Sequence, residues 1–246
     1  MSEAEAPADR RRARRGGILG FLRDLVVILV VAFLVSFLLK TFLVRSFYIP
    51  SVSMEQTLQV DDRILVNQLV PEVVPVKRGD VVVFKDPGGW LYPRGTTPPQ
   101  GFEKVLQAVG LAADTSHEYV VKRVIGIGGD RVECCDAEGR VMVNGVPLDE
   151  PYIVIPAGET RASKIDFDVT VPKDSVWVMG DNRYQSKDSR YNQDQPGKGF
   201  VPDSEIVGRA FLLNWPLNRL TWLGTPEGTF TGVEEAKDAA DDGAGE

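Results

Sequence analysis

The chain has 246 residues, with 28 Lys and Arg against 35 Asp and Glu, and this acidic balance argues against a nucleic-acid binder. Its one histidine, His117, excludes a two-histidine zinc site and would have to serve alone as the base of any Ser-His-Asp triad. Its two cysteines, Cys134 and Cys135, are adjacent, which excludes a disulfide framework and a four-cysteine zinc ribbon.

Residues 1–17 are small, charged and poor in apolar side chains, so a disordered segment is expected there. It carries five arginines between Arg10 and Arg15. From Leu25 to Val44 the residues are apolar apart from Ser36, Lys40 and Thr41. As a helix this run spans about 30 Å, the thickness of a bilayer core. A helix apolar on every face would need a larger soluble core than this chain can build. No clean small-x-small pair follows it, which favours a retained anchor over a cleaved leader. A transmembrane anchor is therefore expected over 18–45. The arginines before it place the N-terminus in the cytoplasm and the remainder on the extracytoplasmic side.

Beyond the anchor the texture is that of strands. Arg63–Leu69, Asp80–Phe84, Glu118–Ile125, Arg131–Glu133, Val141–Val143, Phe167–Val171 and Ser175–Met179 are rich in Val, Ile and aromatics, and Gly, Pro, Asp and Asn separate them. Asn144-Gly145 between Val143 and Val146 is a hairpin turn. The expected fold is mainly β: a β-rich domain over 46–222, a sandwich or partly open barrel, after an N-terminal transmembrane helix. Trp90–His117 reads as a long surface insertion. Residues 223–246 carry seven acids and one lysine, and are expected to form a disordered acidic tail. Neighbouring residues hold their Cα atoms about 3.8 Å apart, short for a disulfide; a strained vicinal disulfide stays open as the alternative, and two ordinary thiols in a hairpin are the expectation at Cys134 and Cys135.

Three clusters can carry chemistry. Ser51-Val52-Ser53-Met54 lies just past the anchor, where a hydroxyl would meet membrane-inserted substrates at a fixed depth; read alone, it is equally a serine-rich turn. Lys122 interrupts the apolar run Tyr119–Ile127. Pointing inward it would be desolvated and become a usable base; pointing outward it is an ordinary strand lysine. Gly180-Asp181-Asn182-Arg183 through Ser186, Asp188, Ser189 and Arg190 is a dense polar turn, in which Asp181 or Asp188 can pair with Arg123 or Arg190.

Taken together these segments resemble the four ordered boxes of the bacterial type I signal peptidases. The boxes are Ser51-Val52-Ser53-Met54 with Thr57-Leu58, Arg78-Gly79-Asp80-Val81, Lys122-Arg123-Val124-Ile125-Gly126 with Gly129-Asp130, and Gly180–Arg190. The resemblance runs from about Leu25 to Leu220. It implies a membrane-bound serine endopeptidase that cleaves signal peptides from exported preproteins after small-x-small (Ala-x-Ala-like) sites. Ser53 would be the nucleophile, Lys122 the general base and Ser186 the hydroxyl orienting the lysine amine. Ser51 would supply the side-chain half of an oxyanion hole. Ile49, Met54, Leu58, Val120 and Val121 would line shallow apolar subsites, and Arg123, Asp181, Asp188 and Arg190 would be structural charges around the site. The resemblance also implies a smaller β region at about 131–171, no metal or other cofactor, contact with the lipid bilayer and proximity to the secretion translocon. Val52, Gln56, Gly128 and Tyr184-Gln185 depart from the common pattern without touching the nucleophile, the base or the orienting serine.

With one histidine available, a serine nucleophile in this chain points independently to another base, and a desolvated lysine can fill that role. A penicillin-binding type of site would need Ser-x-x-Lys, whereas Ser53 is followed by Met-Glu-Gln. A self-cleaving repressor would need a DNA-binding domain where this chain has its apolar segment. The alternative outside enzymology is a catalytically inactive, anchored β-rich scaffold that binds preproteins.

Overall fold

The computed structural model describes residues 9–91, 119–225 and 228–243. The first element is a helix, α1 (Asp9–Leu43). Its stretch Gly20–Phe37 has a mean hydropathy of 2.3 and none of it is buried, which makes it a candidate membrane span. The helix starts at Asp9, inside the segment expected to be disordered. Arg and Ala are strong helix formers, and the apolar stretch that follows supplies the costly nucleus from which such residues propagate. It also ends earlier than expected, at Leu43, because Val44–Tyr48 is strand β1, paired antiparallel with β2 (Arg63–Asn67).

The strands that follow are β3 (Val81–Lys85), β4 (Tyr119–Ile127), β5 (Arg131–Cys134), β6 (Val141–Val143), β7 (Val146–Pro147) and β8 (Phe167–Thr170). After them come β9 (Ser175–Met179), β10 (Val201–Pro202), β11 (Ile206–Trp215) and β12 (Thr221–Trp222). They form two antiparallel sheets among the described residues. The larger runs β1-β2-β11-β3-β4-β9-β10 with β12 on β11, and the smaller runs β7-β6-β5-β8. The mainly β architecture expected from the sequence is thus present. The Asn144-Gly145 turn closes β6 on β7 with both residues at positive φ, 53° and 78°, as a two-residue hairpin of this kind requires.

Burial follows the strand alternation. Phe47, Ile49, Met54, Leu58, Ile64, Val66, Val81, Val83, Ala210 and Leu213 form one core, and Val82, Phe84, Trp90, Val120, Val124, Val176 and Val178 belong to another. A third core joins the two sheets: Ile125, Trp177 and Met179 from the larger meet Val132, Val141, Val143, Leu148 and Phe167 from the smaller side. Of the expected surface insertion, residues 92–117 lie outside the described residues, His117 included. Its first residue, Trp90, is buried edge-on against Phe84.

Two further expectations are corrected. Cys134 and Cys135 are joined as a vicinal disulfide, not present as two thiols. Nor is the acidic tail a solvated appendage throughout. Val233–Gly243 form a second helix, α2, and Val233 is fully buried in the core between the sheets, with Phe230 packed beside it. The tail's charges hid this, because the docking is made by Phe230, Val233 and a few polar contacts. Glu234 pairs with Arg78, Lys237 donates to the Gly128 carbonyl at 2.8 Å, and Asn144 Nδ2 donates to the Val233 carbonyl at 3.4 Å.

Candidate active site

Strand β4 carries Lys122 into the interior, where its side chain is 4% exposed. Its register fixes the height at which it sits. Val44, Asn67, Arg209, Val82 and Lys122 are successive cross-strand partners through β1, β2, β11, β3 and β4. Lys122 therefore lies in the same row of the sheet as the first residue after α1, four strand spacings or about 19 Å away.

Opposite the lysine, Ser51 is extended and Val52–Met54 form one turn of 3₁₀ helix, with Ser53 and Met54 buried. Lys122 Nζ lies 2.7 Å from Ser53 Oγ and donates to the Val121 carbonyl at 2.9 Å. Ser51 Oγ is 3.3 Å from Ser53 Oγ. Burial lowers the Lys122 pKa from 10.5 to about 8, against the opposing pull of the nearby Asp188 and Asp181 carboxylates. A serine hydroxyl and a buried amine whose pKa is lowered to about 8 thus share a hydrogen bond.

The loop after β9 packs against this pair. Asn182 N–H donates to the Ser53 carbonyl at 3.1 Å and Asn182 Nδ2 to Glu55 at 3.1 Å. Gly180 is required by close approach: a Cβ there would stand 2.2 Å from Ser186 Oγ and 2.4 Å from the Ser53 carbonyl oxygen. The Gly180 N–H donates to Asp188, which Arg190 grips through Nε at 2.8 Å and Nη2 at 2.7 Å, all of it buried. Burial alone would raise the Asp188 carboxyl; the Arg190 guanidinium and these hydrogen bonds hold it below the usual carboxylate range. Arg123 grips Asp181 in the same two-pronged way at 2.8 and 2.7 Å, reaches the Gly79 carbonyl at 2.9 Å, and shares Thr57 Oγ1 with Asp181.

The expected residues do not all meet as drawn. Ser186 is buried close to the site but does not hydrogen-bond the lysine; its oxygen lies near the Asp188 carboxylate without meeting hydrogen-bond geometry with any partner among the described residues. The two donor contacts of Lys122 go to Ser53 and Val121 instead. Of the expected subsite residues, Ile49, Met54, Leu58 and Val121 pack in one core, whereas Val120 belongs to the core on the other side with Val82 and Phe84. Adjacent residues of a strand face opposite ways, so Val120 and Val121 cannot present their side chains to one pocket.

A buried group behind the loop escaped the sequence reading. Glu150 is paired with Arg183 and accepts from the Tyr152 hydroxyl at 2.8 Å, and Arg123 lies over the Tyr152 ring at 3.9 Å. Nothing in Asp149-Glu150-Pro151-Tyr152 distinguishes these residues from a surface turn.

Comparison with known proteins gives this arrangement a family. The model of the family described as signal peptidase, peptidase S26, matches residues 22–215. The chain belongs to that family. Signal peptidase I of Mycobacterium tuberculosis is 35% identical over 89% of this chain and 81% of that protein. Signal peptidase I of Leptolyngbya laminosa is 36% identical over 76% and 77% of the two. A crystal structure of a signal peptidase I from Enterococcus faecalis V583, 26% identical, covers 55% of this chain and 95% of that one, with a TM-score of 0.36. Within the signal peptidase family, boundaries 22–215 take in the candidate span from its third residue, both serines, Lys122 and the whole Gly180–Arg190 loop, and stop before the docked tail.

Proposed function

We propose that this member of the signal peptidase family is a membrane-anchored serine endopeptidase that removes signal peptides from exported preproteins, with Ser53 as nucleophile and Lys122 as general base. One observation carries the assignment of roles: the 2.7 Å contact between Ser53 Oγ and a buried amine whose pKa lies near 8. Neutral Lys122 takes the Ser53 proton as Oγ attacks the scissile carbonyl. The Ser51 hydroxyl and the Ser53 N–H stabilise the oxyanion. Lys122 then returns the proton to the leaving amine, leaving an ester on Ser53, and draws a proton from the water that hydrolyses it. Substrate covering the site excludes water from the amine and keeps it neutral. In this reading Ile49, Met54, Leu58 and Val121, which pack in one core, line shallow apolar subsites that a large side chain would overfill, which suits cleavage after small-x-small sites. The arginines before α1 and the exposed apolar stretch Gly20–Phe37 favour an N-terminus in the cytoplasm and a catalytic domain outside, near the exit of the secretion translocon.

The test is cleavage of a preprotein bearing an Ala-x-Ala site by the detergent-solubilised full chain, beside folded Ser53→Ala and Lys122→Ala. Cutting after the second Ala by the wild type alone supports the pair. Cutting that persists in Ser53→Ala places the nucleophile elsewhere.

A further inference from the structure

A second polar cavity, away from the serine, lies among β3, β11 and the segment that follows β12. It measures about 400 Å³ and is lined by Lys77, Arg78, Asp80, Arg209 and the stretch Leu223–Thr225. Its cations are not equally engaged. Arg78 and Lys237 are balanced by Asp130, which forms a two-pronged pair with Arg78 at 2.7 and 2.6 Å and lies 3.4 Å from the Lys237 ammonium, and by Glu234 on Arg78. Among the described residues Arg209 has only a long 3.4 Å contact to Asp80 through Nη1, and its buried Nε has no hydrogen-bond partner. The Lys77 ammonium makes no hydrogen bond among the described residues, while its backbone N–H donates to Asp80 at 2.9 Å. Setting Asp80 against Lys77 and Arg209 leaves one net positive charge and spare donors facing one cavity.

We infer that this cavity binds a singly charged phosphodiester, the headgroup of an anionic phospholipid. The charge matches a monoanion, and a guanidinium with an unused N–H is suited to a phosphate oxygen. Two features favour a lipid over a free ion. Arg209 is the cross-strand partner of Asn67, which partners Val44, so it stands two strand spacings, about 10 Å, from the point where the chain leaves its apolar helix. The segment that walls the cavity also continues directly from Leu220 and Trp222, which are 57% and 75% exposed, an apolar and aromatic surface suited to the membrane interface. The site is separate from Ser53 and its occupancy requires no cleavage.

The experiment uses the full chain in a neutral detergent, titrated with short-chain phosphatidylglycerol or with inorganic phosphate, and follows thermal unfolding and phosphorus-31 line width. Phosphatidylglycerol is expected to raise the unfolding temperature and broaden its resonance. The double variant Lys77→Gln/Arg209→Gln should bind at least about tenfold more weakly while unfolding at the wild-type temperature without lipid. Should that variant fail to fold, Lys77→Glu, which changes only an exposed side chain, should weaken binding by the same mechanism. An equal effect of inorganic phosphate overturns the lipid source. No effect of phosphatidylglycerol, or an effect that the charge variants retain, overturns the site.

Discussion

In the proposed mechanism Lys122 can act as a base because it is buried, and burial has a cost that can be measured. With a pKa of about 8, roughly a tenth of it is neutral at pH 7 and roughly nine-tenths at pH 9. A pH profile of kcat/KM should therefore climb about tenfold over that interval and then level off. A profile flat from pH 6 to 9 would remove Lys122 as the base. The stability consequence has the opposite sign to that of a paired lysine. The unfolded lysine keeps its pKa of 10.5, so between about pH 8 and 10.5 the unfolded state binds more protons and stability rises with pH. Below pH 8 the folded protein bears the full cost of the buried ammonium, about 3 kcal/mol for this depression. Lys122→Met should be inactive yet more stable than the wild type at pH 7, by about 1–3 kcal/mol, with the gain fading above pH 10. Denaturant unfolding at pH 7 and pH 10 checks both the sign and the window. For Ser51→Ala, loss of one oxyanion donor should lower kcat by about 100- to 1000-fold with little change in KM. An unchanged kcat would free Ser51 from the oxyanion role.

At the scale of an element, the Gly180–Arg190 loop is what holds the serine segment against the sheet. Its Asn182 N–H fixes the Ser53 carbonyl, and its Asp181 ties Thr57 and Arg123 together. Gly180→Ala would press a methyl group onto the Ser53 carbonyl oxygen and Ser186 Oγ at once. Since one of these is backbone, the loop must shift, at a cost of about 1–3 kcal/mol in stability. The shift also parts Ser53 from Lys122, so kcat should fall further than stability alone accounts for. Activity kept at the wild-type level in a folded Gly180→Ala would show that the loop does not set the distance between them. Asp181→Asn leaves the Arg123 guanidinium buried without a counter-charge, and a loss of about 3–5 kcal/mol is expected by thermal unfolding.

At the scale of the whole molecule, the docked tail lies outside the matched family boundaries. The tail reaches back across the smaller sheet, buries Val233 and covers the edge where Arg78 meets Asp130. Truncation after Thr225 exposes that core, and burying a valine side chain alone is worth about 1.5–3 kcal/mol. A clear drop in unfolding temperature is expected, with less dependence on salt as the exposed Arg78–Glu234 pair is lost. An unfolding temperature equal to that of the full chain would reduce the docking of α2 to a passive contact.

What was legible in the sequence is what local pattern encodes. The apolar run after Gly20, the Val- and Ile-rich strand segments, the Asn144-Gly145 turn and the spacing of the four motif segments are properties of neighbouring residues, and periodicity or turn chemistry reads them directly. They carried the mainly β fold with its apolar N-terminal helix, and the family. Lys122 inward and Lys122 outward fit the same local pattern; only the sheet around it settles which, because desolvation is summed over side chains from distant segments. The same holds for Glu150 and Arg183, polar in sequence and buried as a pair, and for Val120 and Val121, alike in composition but turned into different cores by the pleat. The tail shows the limit most clearly. Its acidity predicts a solvated segment, yet Phe230, Val233 and a few polar contacts outweigh that composition once a complementary surface exists to receive them, and such a surface exists only in the folded chain.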